Sequence, residues 1–532
     1  MKQVVADSTY RWWALGLIML GTFMAVLDSS IVNVALPDIM SGFGVNRDQV
    51  QWVTTAFMLA TAVAMPLVGW TAGKVGYKTL FTASLFLFTL GSAACALAWS
   101  FHVLVIARVL QAIGGGAVQP VGLALIAELF EPHERGKAFG IWGTGIVIGP
   151  TIGPTLGGYL TDWFSWRAIF SVNLPIGLIG VIATLVIMRQ SGKRKDSRSL
   201  DIWGFCFLSL ALVTGLLALS NGQQEGWTST YVLSNTGLAI IGLVMFIAVE
   251  SAVEHPLLDL GLFKVRSYSL VMVLAVFRSV GLFGGVFLLP LFLERLAGYT
   301  TIDTGLWMIP GALTLALAMP IAGRMADKYH PGRLATVGTA LTAASLMMYG
   351  WLDPHSSAWV IIGPQIVRGV GLSLMFAPLQ TAAINAVPRA EVATASSFLA
   401  VSQRVGGAFG IALINTFVTD AVHRHAVTLG ADVPVQSLQF AHATAGAGGI
   451  NIHHALGQTL PAAAKPMFLA VETFLQRATV LSYQDGFVFA GLVTAVGIPL
   501  CLFVNKFHAD TVKPKAEKPQ PAAEEDAAAE GH

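Results

Sequence analysis

Gly140-Ile-Trp-Gly-Thr-Gly145-Ile-Val-Ile-Gly149-Pro150-Thr-Ile-Gly153-Pro154-Thr-Leu-Gly157-Gly158 is an apolar stretch punctuated by the two residues that helices tolerate least. In hydrocarbon the backbone must satisfy its own polar groups, so helix is the default and Gly or Pro inside it needs a reason. Gly145, Gly149, Gly153 and Gly157 recur every fourth residue, which places them on one slowly drifting helix face where a neighbouring helix can come close. Pro150 and Pro154 each remove a backbone donor and are expected to bend the helix. A bent, closely packed helix predicts an interface that slides or seals. Tight packing alone would account for it as well.

Thirteen more apolar stretches surround this one. The expected membrane helices are 13–36, 50–72, 79–99, 103–128, 138–160, 168–188, 202–219, 233–251, 269–292, 304–325, 333–352, 358–382, 395–418 and 486–505, each near the ~20 residues that a span needs. The chain of 532 residues is 55% hydrophobic and only 11% charged, with mean hydropathy +0.69. A soluble chain carries roughly 25% charged residues, so this is an all-α polytopic membrane protein. The formal net charge of +2 points to no nucleic-acid partner. Cys95, Cys206 and Cys501 all sit inside apolar spans and indicate neither a disulfide framework nor zinc spacing, so no metal is expected. The polar segment Met1 to Arg11 is short and the first span is too long for a signal-peptide core, so it is expected to remain in the mature protein.

An even number of spans puts both termini on one side. With that side cytoplasmic, twenty-one Lys and Arg residues fall in inner segments and six in outer loops, which fixes the orientation by the positive-inside rule. The basic cluster Arg189, Lys193, Arg194, Lys195 and Arg198, between the sixth and seventh spans, reads as a topological anchor. Residues 419–485 form a long outer loop, rich in Ala and Gly from Ala441 to Gly449. It turns amphipathic at Phe468, Val471, Phe474, Leu475, Ala478 and Leu481. The Lys, Glu, Ala and Pro tail reads as disordered.

Short signatures recur about 255 residues apart. Gly69-Trp-Thr-Ala-Gly-Lys74-Val-Gly76-Tyr-Lys78 follows the second span, and Gly323-Arg-Met-Ala-Asp327-Lys328, with Arg333 beyond it, follows the tenth. Arg108 in the fourth span matches Arg368 in the twelfth, and the glycine-rich fifth matches Arg404-Val-Gly-Gly-Ala-Phe-Gly410 in the thirteenth. Six helices, two inserted and six more fit this pattern. The expected units are 1–188, an N-terminal bundle; 189–268, the basic loop with two inserted helices; 269–505, a C-terminal bundle; and 506–532, the cytoplasmic tail. Duplicated bundles about a midplane site are what secondary transporters use for alternating access.

Four stretches carry a family resemblance. They are Leu27-Asp28-Ser-Ser-Ile-Val-Asn33-Val-Ala-Leu-Pro37, Arg108-Val-Leu-Gln111-Ala-Ile-Gly114, the Gly-Pro run of the fifth span, and Trp166-Arg167-Ala-Ile-Phe-Ser-Val-Asn173-Leu-Pro175-Ile-Gly177. In this order and on these helices, the chain resembles the major facilitator superfamily in its 14-helix drug:proton antiporter branch (EmrB/QacA-like), over roughly residues 12–506. The resemblance implies a proton-driven multidrug exporter in a bacterial inner membrane that uses a proton gradient and no cofactor. It further implies contact of the outer loop with a periplasmic membrane-fusion adaptor and, through it, an outer-membrane channel; a helix lying on the lipid surface is the alternative. One departure stands out. Gly73 occupies the place where the superfamily usually has Asp, whereas the second copy keeps Asp327, so an Asp-based lock on the inner surface is expected only in the second half.

Charges within membrane helices are costly and are functional candidates by default. Asp28 is the only acid well inside any expected span, and it shares the outer half of the membrane with Arg108. The resemblance puts their helices in one bundle. Asp28 is then the expected proton-binding acid, tuned by Arg108 and Gln111, and a static buried ion pair is the competing account. Arg278, Arg368 and Arg404 lie near mid-helix with no second acid in the tenth span, so neutral or weakly acidic hydrophobic substrates are expected rather than dications. Snorkelling or capping of carbonyls is the other explanation for these arginines. Asn33, Trp52, Phe57 and Met58 are weaker candidates for a cavity wall. No Gly-x4-Gly-Lys-Ser/Thr loop exists, which argues against ATP-driven pumping by this chain. All twelve histidines lie in loops, termini or helix edges, which argues against a membrane-embedded enzyme. A proton-coupled transporter of one specific metabolite stays open, because the export direction rests on the resemblance.

Overall fold

The computed structural model describes residues 8–190, 199–254, 256–430 and 465–512. Among these there is no strand, and each of the fourteen expected spans falls on a helix. The first half comprises α1 (Ser8–Phe43), α2 (Arg47–Ala64 with Leu67–Val75, bent by 57°), α3 (Tyr77–Ala96), α4 (Phe101–Leu129), α5 (Arg135–Trp163) and α6 (Ala168–Ile187). α7 (Ile202–Glu225) and α8 (Thr230–Ala252) follow. The rest comprises α9 (Arg266–Arg295), α10 (Thr301–Lys328), α11 (Pro331–Met348), α12 (Ala358–Asn385), α13 (Val392–Gly430) and α14 (Lys465–Val512).

Eleven of these helices are long and apolar enough to cross a membrane, or twelve when the bent pair of α2 counts as one. The two that fall short are α5, diluted by glycine, threonine and two prolines, and α11, which has 18 residues rich in alanine and threonine. Small residues lower hydropathy but let helices approach closely, and both helices are packed among others.

Helix ends follow local chemistry. The side chains of Ser100, Asp201, Ser229 and Thr300 each accept a bond from a first-turn N–H. Gly76, at φ +83°, separates α2 from α3 in a conformation that side chains resist. Pro66 breaks α2 after Met65, as a residue without an N–H does inside a helix.

Within the first half, α1 packs on α4, α5 and α6, α3 on α4 and α6, and α2 on α4. Within the second, α9 packs on α12, α13 and α14, α11 on α12 and α14, and α10 on α12. The halves meet along α5–α10 and where α13 touches α2 and α4. α7 and α8 pair with each other, and α7 rests in the seam between α2 and α13. Leu59, Ala62 and Leu216 form a buried apolar cluster there, with Met58, Val213 and Ala408 packed on it.

The outer segment departs from the expected loop 419–485. α13 continues past residue 418 to Gly430, and the amphipathic stretch 468–481 is the start of α14. At 1.5 Å per residue α14 is about 72 Å long, more than twice the ~30 Å of hydrocarbon. Much of the helix therefore stands beyond the apolar layer. Its last turns also run through 506–512, into the first residues of the expected tail 506–532, which are therefore helical. The Ala/Gly-rich stretch within 431–464, the basic residues of 191–198 and the tail 513–532 lie outside the described residues.

Candidate functional site

Asp28 of α1 is fully buried, and its two oxygens accept three hydrogen bonds. Oδ2 accepts from Arg108 Nη1 at 2.6 Å; Oδ1 accepts from Gln111 Nε2 at 2.8 Å and Asn173 Nδ2 at 2.9 Å. Three N–H donors converging on one carboxyl group match its ionised form. Arg108 does not depend on Asp28 alone. The same Nη1 donates to Gln111 Oε1 at 2.6 Å, Nε donates to the Val53 carbonyl at 3.1 Å, and the guanidinium lies 4.0 Å over the Phe57 ring. Gln111 Nε2 also donates to Ser92 Oγ at 2.7 Å, and Cys95 Sγ lies 3.7 Å from Gln111 Oε1. Five helices thus meet at one carboxylate.

Two glycines make this meeting possible. A Cβ on Gly91 of α3 would stand 2.6 Å from Gln111 Cβ, and one on Gly114 of α4 would run into the backbone at Ser84 and Phe88. Without side chains there, α3 and α4 touch backbone to backbone. That contact is what carries the Ser92 hydroxyl to Gln111.

The expected trio Asp28, Arg108 and Gln111 is brought together, while the expected cavity residues scatter. Phe57 is buried beneath Arg108. Met58 belongs to the α2–α7–α13 seam. Trp52 is 47% exposed, and Asn33 is exposed. Arg278 lies 4.8 Å over the Phe376 ring. Arg368 is buried and Arg404 is half-buried. Among the described residues none of these three arginines has an acid partner, in contrast to Arg108. Sequence reasoning missed Asn173, Ser92 and Cys95 as members of the network. Asn173 had a visible signal: a polar side chain at the head of an otherwise apolar span.

The glycine run of α5 divides between two neighbours. A Cβ on Gly145, Gly149, Gly153 or Gly157 would meet Met19, Val26 and Leu27, Ser30, or Ile31 on α1, all within 3.1 Å. This face is the tight packing within the first half. Gly140, with Gly136, faces the other way, and a Cβ on Gly140 would stand 2.5 Å from the Met319 carbonyl of α10. The face that meets the other half is therefore the one at Gly140. Gly158 meets nothing within 4 Å. Helix α5 continues unbroken through both prolines. Pro154 frees the carbonyl of Pro150, four residues back, and that oxygen accepts from Ser30 Oγ at 3.3 Å.

At the end of α5 near Arg135 the halves are latched together. Asp327 of α10 accepts from the backbone N–H groups of Gly136 (2.7 Å) and Lys137 (2.8 Å), in the first turn of α5. A carboxylate at a helix N-terminus satisfies orphan donors and complements the helix dipole. The lock at Asp327 is thus a charge-to-helix cap rather than a pairing with a basic side chain. Beside it Arg135 Nη1 donates to Asn385 Oδ1 at 2.6 Å, and elsewhere between the halves Gln119 Nε2 of α4 donates to Gln403 Oε1 of α13 at 3.2 Å. Gly323 packs against Gly136 and Gly140, and Gly69 of α2 against Thr394 of α13. Gly73, one turn on from Gly69, has open space around its Cβ position. Lys74 lies 4.2 Å over the Trp70 ring, and Lys78 Nζ donates to the Leu185 carbonyl at 2.8 Å. Lys328 and Arg333 are exposed.

A buried ion-pair network in one bundle, a pseudo-repeated second bundle and a latch between them fit a secondary transporter. The family model described as Major Facilitator Superfamily matches residues 18–411. The chain belongs to the major facilitator superfamily. Among its relatives is the multidrug export protein EmrB of Escherichia coli strain K12, 32% identical over 77% of this chain and 80% of that one. A multidrug resistance protein B homolog of Mycobacterium tuberculosis H37Rv is 34% identical over 76% of this chain and 75% of that one. The solved structure of the proton:xylose symporter XylE, at 14% identity, superposes with a TM-score of 0.57 over 93% of this chain and 97% of that one, a likeness of fold. This member of the superfamily is a multi-pass secondary transporter and not an enzyme. With relatives such as these, its place is a bacterial cytoplasmic membrane.

Proposed function

We propose that this protein is a proton-driven multidrug efflux antiporter that exports hydrophobic, neutral or weakly acidic compounds, with fourteen membrane helices and both termini cytoplasmic. The relatives named as multidrug export and resistance proteins support export of varied compounds. The observation that carries proton coupling is the network at Asp28, in which Arg108 has two further acceptors, Gln111 Oε1 and the Val53 carbonyl. Protonating an acid whose only partner is a buried arginine would strand that charge, at a cost of about 3–5 kcal/mol. Here Arg108 keeps acceptors when Asp28 takes up a proton, so the site tolerates both protonation states as the halves rock. Asp28 is sealed while the latch at Asp327 is closed, and exchange of the proton belongs to the rearrangement that opens that latch.

The substrate preference follows from the unpaired arginines: the described membrane interior carries more guanidinium than carboxylate, which disfavours organic dications. The protruding parts of α13 and α14 are the place we assign to a periplasmic adaptor, through which an outer-membrane channel would complete the path. Efflux in membrane vesicles with a panel of lipophilic acids, neutral compounds and dications tests the proposal. It predicts transport that collapses with the proton gradient and favours acids and neutrals. A preference for dications would overturn the substrate reading, and transport indifferent to the gradient would overturn the coupling.

A further inference from the structure

The second half repeats the arginine of the first half without its acid. Arg108 of α4 lies against Asp28 of α1, and about 260 residues further on Arg368 of α12 lies against Gly285 of α9. The glycine is explained by the arginine. A Cβ on Gly285 would coincide with the Arg368 guanidinium, and Gly285 has no positive φ that would otherwise demand glycine. Arg368 is only 5% exposed, yet its Nη1 has no hydrogen-bond partner. A charged group taken out of water normally finds an opposite charge or acceptors.

The neighbours do not supply them. Gln365, one turn earlier, donates its amide N–H groups to the carbonyls of Trp307 and Ile361, and its Oε1, turned toward Gly311 on α10, has no hydrogen-bond partner and does not reach Arg368. The first half closes the same local pair: Arg108 and Gln111, also three residues apart, are bonded at 2.6 Å. Tyr349, whose hydroxyl is the titratable group that acts on Arg368, commits that hydroxyl to the Ile361 carbonyl at 3.0 Å. Among the described residues no carboxylate pairs with Arg368.

We infer that Arg368 is an anion-binding site whose counter-charge comes from a ligand, a carboxylate or phenolate group on a transported compound or a small inorganic anion. The first half carries its acid in the protein, where it handles protons; the second half leaves that place to the cargo. The inference deepens the efflux reading and rests on it. It selects Arg368, rather than Arg278 on its aromatic ring, as the group that recognises acidic substrates.

The test uses the full-length protein in lipid nanodiscs, with octanoate as the probe and octanamide as its neutral counterpart. Wild type is expected to bind octanoate at least tenfold more tightly than octanamide. Arg368→Gln should erase that preference, and Arg368→Lys should keep part of it. Arg368→Met, an apolar side chain of similar length with no charge to pair, should erase the preference as well and serves as the second variant if Arg368→Gln folds poorly. Competition by chloride against a gluconate control assigns the site to small anions; octanoate binding that is indifferent to chloride assigns it to the substrate's own acid group. Equal binding of octanoate and octanamide by wild type, or a preference that survives in both Arg368→Gln and Arg368→Met, overturns the inference. Its failure is separable from that of the efflux reading. Proteoliposomes that export a neutral dye but ignore octanoate keep the pump and remove the site, whereas export of neither removes the pump.

Discussion

Replacing Asp327 with Asn should loosen the latch between the halves, by an amount the geometry allows to be worked out. The two carboxylate oxygens accept the N–H groups of Gly136 and Lys137 across the α5–α10 interface. Hydrogen bonds to a charged group contribute roughly 1.5–3 kcal/mol each, and a negative charge at a helix N-terminus about 0.3–1 kcal/mol, more when partly buried. Asn keeps one oxygen as acceptor but loses the charge and the second charged bond. The latched state then loses about 1.5–3 kcal/mol relative to a state in which the halves have parted and the side chain is hydrated. At about 1.4 kcal/mol per decade, the open population rises roughly tenfold to a hundredfold. The assay is electron-electron spin distance measurement between labels at Lys74 and Lys328, exposed positions on the two halves, with the exposed Cys206 first replaced by Ser. Asp327→Asn should add a long-distance component, and Asp327→Ala a larger one. Distributions identical to wild type in both variants would refute the reasoning.

Three further outcomes are expected. Gly140→Val places side-chain atoms against the Met319 carbonyl and Gly323 Cα, so efflux should fall at least tenfold with normal membrane insertion, and wild-type efflux would contradict the sealing role. Gly73→Asp supplies the carboxylate that the first copy lacks, with open space to receive it; turnover should slow severalfold and recover when Asp327→Asn is added, and an unchanged rate would show that position 73 does not face the seam. Trp227→Phe removes the 2.9 Å bond from Nε1 to Thr416 that ties the α7–α8 connection to α13; thermal unfolding should register a loss of about 1 kcal/mol while transport persists, and a transport-dead but stable variant would give the inserted pair a mechanistic role.

What the sequence made legible follows from what hydrocarbon enforces. Apolar length and internal repetition are written residue by residue, so all fourteen expected spans fall on helices and Arg108 lands beside Asp28. Facing is less legible, because a glycine every fourth residue marks a close neighbour without naming it. The Gly145 to Gly157 face turned out to be the inside of one bundle, and Gly140 the seam between the two. An aromatic residue in a membrane helix has many uses, and the position of Phe57 beneath Arg108 was not visible in the sequence. An Asp-based lock was expected at Asp327, but its partners, two backbone N–H groups of α5, are ones that no sequence pattern displays. The absence of an acid opposite Arg368 was readable as composition, but its replacement by Gly285 needed the packing.

The most direct measurement of proton coupling is proton movement driven by substrate in proteoliposomes, comparing wild type with Asp28→Asn. Asn fills the same space and can still accept from Arg108, so the variant should insert and bind substrate. A pH-sensitive dye should report counterflow of protons on adding substrate to wild type and none in the variant. Equal proton flux in the two would show that the coupling acid is not Asp28.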